Sequence, residues 1–173
     1  MTEQLSISGD DDHWSMFSRT PATGKPNFFR SRAGLPHVRE FAEKNFFARM
    51  RCTIDPAELT DAGLPKSTEA LDAFEDALLK ALTEAGAQTY LVAVTTGNGT
   101  RDLYFTAVDR AELPVALKSI EGDRPFQVAL ASGDPAPLLD ALTLSKEELE
   151  KANLHEMPVQ RSGGGLLGKL FGR

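Results

Sequence analysis

Alternation of apolar and polar positions is the strongest pattern in the chain. In FFARMRCTI it places Phe46, Ala48, Met50, Cys52 and Ile54 on one side of an extended segment, and Phe47, Arg49, Arg51 and Thr53 on the other. One face is therefore core. After the breakers Pro56, Gly63 and Pro65 the period changes. Leu71, Phe74, Leu78, Leu82 and Ala85 recur at helical spacing, with Ser67 as the expected N-cap and Gly86 as the stop. YLVAVTT and RDLYFTAV are rich in β-branched and aromatic residues and read as two strands. Asp109 and Glu112 form a capping box ahead of Leu113, Leu117 and Ile120, and Gly122 closes that short helix. Pro114 favours a start near Leu113, because a start at Arg110 would lose one internal hydrogen bond. FQVALA is the last strand of the series, and the prolines of DPAPLLDAL end it.

Upstream, HWSMFSRTPATGKPNFFRSR carries two aromatic-bearing runs around Pro21, Thr23 and Gly24, which predicts a hairpin with a turn of roughly four to six residues. Downstream, Ser145 and Glu148 make a second capping box for a helix through about Asn153, and SGGGLLGKLFGR is a glycine linker with a small apolar tip.

From Phe46 the order is strand, helix, strand, strand, helix, strand. This predicts an α+β domain of the ferredoxin-like split βαβ type, an antiparallel sheet with helices on one face. The N-terminal β-hairpin is expected to extend that sheet or cover its open face, burying Trp14, Phe17, Phe28 or Phe29. The expected divisions are a flexible N-terminus over 1–12, one α+β domain over 13–142, a C-terminal helical extension over 143–161 and a tail over 162–173.

TTGNGTRDLYF, Thr95 to Phe105, is the stretch that most resembles a phosphate loop. A dinucleotide loop needs its glycines between a strand and a helix, with a third glycine for close packing. Asp102 stands where that third glycine belongs, the following segment alternates as a strand, and no Lys-Ser/Thr pair follows as a P-loop requires. Asn98-Gly99 instead tolerates positive φ in a tight turn between antiparallel strands.

Composition narrows the classes. A chain of 173 residues can bury enough surface for a self-sufficient core, and 41% apolar with 25% charged residues is that of an ordinary globular protein. It has no apolar run of about 20 residues, and the N-terminal stretch MTEQLSISGDDDHW has neither a basic nor an apolar signal region, so a cytoplasmic location is expected. A net charge of −6 opposes bulk attraction to nucleic acid. Asp10, Asp11 and Asp12 read as a solvated acidic run.

Catalytic chemistry is poorly represented. Cys52, the only cysteine, alternates with Met50 and Ile54 and reads as packing. His13, His37 and His155 fall at a strand start, in a loop and at a helix end, without characteristic spacing. HExxH and paired Cys/His spacings are absent, so neither metal nor cofactor is expected.

Two sets of residues are candidates for binding. Phe47, Arg49 and Arg51, with Arg30, Arg32, Arg101 and Tyr104 on strands that could be neighbours, mix aromatics with arginines in the manner of sheets that stack single-stranded RNA. The alternative is that the hairpin packs on the aromatics while the arginines pair with carboxylates, and this is the expected outcome. At the C-terminus Leu166, Leu167, Leu170 and Phe171 form an apolar tip suited to a partner's groove, while Gly168 and Gly172 weaken any helix and argue against stable membrane anchoring.

The sequence W...GKPNFFR, then ALDAFEDALLKAL, then GNGTRDLYF and a late Asp-Pro resembles the bacterial domain-of-unknown-function family numbered 695, over about Trp14 to Leu142. That resemblance implies the ferredoxin-like fold and no established activity. A more distant similarity is to the regulator of ribonuclease activity B family, inhibitors that bind RNase E. It rests on the same element order and a late Asp-Pro. Here Asp134-Pro135 continues as APLLDAL, without the Trp and Tyr of that family. The function expected is binding of another protein as a regulator or adaptor without catalysis. The alternatives are a hydrolase or RNA-processing enzyme and a toxin-neutralising immunity protein.

Overall fold

The computed structural model describes residues 13–32, 36–142 and 157–158. The elements are β1 (His13–Arg19), β2 (Asn27–Ser31), α1 (Pro36–Lys44), β3 (Phe46–Ile54), α2 (Glu69–Glu84), β4 (Thr89–Gly97), β5 (Thr100–Ala107), α3 (Glu112–Ser119), β6 (Phe126–Ser132), α4 (Ala136–Leu142) and β7 (Met157–Pro158). The fold is mixed α+β. Six strands run antiparallel in the order β6-β3-β5-β4-β2-β1, and the two-residue β7 adds beyond β1.

The central strands carry the predicted alternation. Ala48, Met50, Cys52 and Ile54 face one core with Leu103 and Phe105 of β5, and α2 covers them with Leu71, Phe74, Leu78 and Leu82. Leu113 and Ala116 of α3 complete that layer. The N-cap of α2 is Thr68, one residue later than expected, although the Ser67 hydroxyl still accepts from Glu69 N–H at 3.3 Å. At the other end Gly86, at φ +65°, closes the helix as predicted. Its N–H reaches Thr83 O at 3.1 Å and Ala87 N–H reaches Leu82 O at 3.0 Å, so a left-handed residue satisfies the last carbonyls. The capping box of α3 does not form. Asp109 accepts from Ala111 N–H at 2.8 Å, while Glu112 accepts instead from the Thr89 hydroxyl at 2.7 Å and ties the helix to β4.

Helices lie on both faces of the sheet, not on one. Val38, Phe41 and Ala42 of α1 and Leu139 and Leu142 of α4 form a second core with Phe47, Val92 and Ala93. Val92 and Ala93, although consecutive, both reach this face because β4 bulges between Leu91 and Ala93. The N-terminal hairpin takes the first of its two expected roles and extends the sheet, β2 pairing with β4 through Phe28–Ser31. Trp14 is buried on the α2 side, whereas Phe17 and Phe29 stack at 4.9 Å on the α1 and α4 side. The cover on the second face is thus helical, over part of the sheet, and is not the hairpin.

The glycine stretch is a hairpin tip. Asn98 at φ +49° and Gly99 at φ +76° give the two positive angles of a tight turn, and a strand follows directly. The tip is docked: Gly99 N–H donates to Gly63 O at 2.9 Å, and Gly99 O accepts from Ile54 N–H at 2.9 Å. A Cβ on Gly99 would meet Leu59 Cδ1 at 3.0 Å in addition to the strained angle. Gly99→Ala is expected to cost about 1 to 2 kcal/mol, read as a lower urea midpoint at unchanged slope.

Candidate functional site

Register brings four of the predicted residues together. Arg49 stands opposite Tyr104 on one side and Ala131 on the other, and Arg51 stands opposite Asp102 and Ala129. All of these point to the face that carries α1 and α4. The two helices cover only part of it, for Gln127, Ala129 and Ala131 of β6 are exposed. Where α4 begins, a cleft of about 340 Å³ opens between it and the sheet. Phe47 and Tyr104 line it from the sheet, Ala131 and Gly133 from β6 and the turn after it, and Pro137 and Leu138 from α4; its polar side chains are Arg49, Ser132 and Asp134.

The position of α4 is held at both ends. Asp134 accepts from Ala136 N–H at 2.9 Å, capping the first turn, and Arg39 of α1 pairs with Asp140. Arg19 donates to Ala141 O, so the far end of α4 is fastened to β1.

The two arginines on this face of β3 differ in a way their spacing does not suggest. Arg51 makes a bidentate pair with Asp102 at 2.8 and 2.6 Å, and that hydrogen bonding holds its guanidinium firmly protonated. Arg49 makes no hydrogen bond or ion pair with any described residue, and its Nε is shut away from solvent without an acceptor. Tyr104 stacks on Phe47 at 6.2 Å, and its hydroxyl is directed to Asp102 at 3.4 Å. Burial, and then the charge of Asp102, pushes the Tyr104 phenol above its ordinary range, so it remains a neutral donor.

The other arginines singled out in the sequence, Arg30, Arg32 and Arg101, lie on the opposite face. Arg30 and Arg32 flank the Trp14 ring at 5.0 and 5.1 Å, Arg30 pairs with Glu75, and Arg101 pairs with Asp72 at 2.6 Å. Phe47 is only 6% exposed, which closes its ring to a stacked base. His13 starts β1 as expected, whereas His37 sits on α1 and not in a loop, because Pro36 opens a helical turn there. Cys52 is fully buried, and burial pushes its thiol up to about 12. Asp134 was a site residue hidden in the Asp-Pro pair, whose helix-capping role was the available signal. Among the described residues no three His, Cys, Asp or Glu side chains gather as a metal site, and no helix is long and apolar enough to cross a membrane. His155, Leu166, Leu167, Leu170 and Phe171 lie outside the described residues, as do the acidic run Asp10–Asp12 and the expected helix after Ser145.

A family model described as "Family of unknown function (DUF695)" matches residues 11–134. The chain belongs to DUF695. No curated protein matches it, and no solved structure does. The DUF695 match takes in β1 through β6 and ends at Asp134, so Arg49, Tyr104 and Ala131 fall within it while α4, the outer wall of the cleft, follows it.

Proposed function

We propose that this DUF695 chain is a protein-binding module, acting as a regulator or adaptor, that takes an extended segment of its partner along β6. One observation carries the reading. Among the described residues β6 pairs only with β3, so its outer row of backbone groups is unpaired. An edge of this kind is normally blunted by charge, proline, a bulge or an inward-pointing ion. FQVALAS has no charged residue and no proline, and its pairing with β3 runs from Phe126 to Ser132 without a bulge. Strand addition supplies main-chain hydrogen bonds, and neighbouring pockets then read alternate side chains.

The order β6-β3-β5-β4, with α2 and α3 on one face, supports a ferredoxin-like description of the central unit. The likeness to the ribonuclease-regulator family adds the element order and Asp134-Pro135 to the reading. Where that family carries its aromatic pair, this chain has α4. Catalysis finds less support, since the one thiol is buried and protonated at neutral pH.

The test uses the full chain and a displayed library of random peptides about a dozen residues long. A selected peptide is expected to slow hydrogen exchange at alternate amides of β6. N-methylation of its alternate backbone nitrogens should weaken binding by roughly tenfold or more, because each methyl removes a ladder hydrogen bond. Binding that ignores N-methylation and leaves β6 exchange unchanged would sink the reading.

A further inference from the structure

The unpaired cation beside this edge indicates what the partner carries. We infer that the Arg49 cleft receives a single carboxylate, borne by the residue of the added segment that stands opposite Ala131. The inference rests on the strand-addition reading for the source of that group.

Strand geometry places the residue. Arg49 pairs with Ala131 across β3 and β6, and both line the cleft. A residue paired with Ala131 from outside shares its face and stands two strand spacings, about 10 Å, from the Arg49 backbone. An arginine and a glutamate side chain reaching toward each other bridge that distance. The small Ala131 between them leaves the path open.

Chemistry selects the group. A guanidinium presents a planar cationic fork that suits a carboxylate. Its Nε is already desolvated, so part of the guanidinium's desolvation cost is met in the free protein, and a bound carboxylate takes its hydrogen bonds from the two Nη groups, which are not shut away. A dianion fits less well. Asp134 lines the same cleft, and Asp102 lies beside Tyr104, so a second negative charge meets repulsion that one carboxylate, neutralised by Arg49, largely avoids.

The same peptide selection tests this on the full chain. Selected peptides are expected to share an Asp or Glu at one fixed position. Changing that residue to its amide should weaken binding by roughly tenfold. With Arg49→Gln the acid and amide peptides should bind equally, and Arg49→Lys should restore part of the difference. Because Arg49 has no partner among the described residues, Arg49→Gln is expected to keep the wild-type thermal midpoint, which separates lost recognition from lost folding. Peptides that slow β6 exchange yet show no acidic preference would overturn the carboxylate while leaving strand addition standing. A phosphoserine peptide that binds more tightly than the acidic one would overturn it too. Failure to select any peptide would remove both.

Discussion

Replacing Arg101 with methionine is expected to destabilise the protein by about 3 to 5 kcal/mol, because it leaves the Asp72 carboxylate largely buried without its cation. The Arg101 side chain is wholly inaccessible. Its Nη1 lies 2.6 Å from Asp72 and 4.0 Å from Glu75, and its Nε contacts the Thr96 hydroxyl at 3.3 Å. Asp72 also accepts from the Thr68 hydroxyl at 2.8 Å, and Glu75 is shared with Arg30. The cluster therefore ties the start of α2 to β5 and, through Arg30, to the N-terminal hairpin. Removing the central cation leaves Asp72, 14% exposed, with no cation, while Glu75, 8% exposed, keeps only Arg30.

The double variant Arg101→Met with Asp72→Leu should recover much of that loss, since a buried pair replaced whole by apolar groups is far less costly than one broken in half. Urea unfolding of both variants measures this, with Lys44→Met in the exposed Lys44–Glu40 pair as a control expected to change nothing measurable. A single variant as stable as the wild type would show that the cluster contributes nothing net.

The parts of this architecture that could be read from the sequence are those with long, one-sided periodicity. β3 alternates over nine residues and α2 repeats over sixteen, so each stripe stands out against its neighbours. The turn at Asn98-Gly99 was readable for a different reason, as its backbone angles admit few residue types. α1 and α4 have nine and seven residues, and each contributes only a few apolar side chains. Val38, Phe41 and Ala42 are interleaved with Arg39, Glu40, Glu43 and Lys44, and their spacing becomes informative only when the sheet offers a second apolar face.

The candidate site was half visible on the same grounds. Alternation put Arg49 and Arg51 on one face, but nothing within β3 distinguishes them. The difference arises across the sheet, where register sets Asp102 against Arg51 and Tyr104 against Arg49. Pairing of that kind depends on contacts distant in sequence, which local pattern does not carry.

Truncating Phe41 to alanine tests the layer that local pattern passed over. Phe41 is 2% exposed, meets the Tyr90 ring edge-on at 5.4 Å, and packs in the core formed by α1, α4 and the sheet. Loss of its ring removes the transfer energy of a buried aromatic and leaves a cavity, an expected cost of about 3 to 5 kcal/mol. Were α1 only a surface strap, the measured cost in urea unfolding would fall below about 1 kcal/mol, as for exposed positions. The expected outcome has a second readout. Because Arg39 fastens α1 to Asp140, loosening α1 should also raise hydrogen exchange in α4, on the far side of the cleft from Tyr104. A large loss of stability with unchanged α4 exchange would mean that the two helices cover the sheet independently, and that the cleft wall owes its position to Arg19 and Asp134 alone.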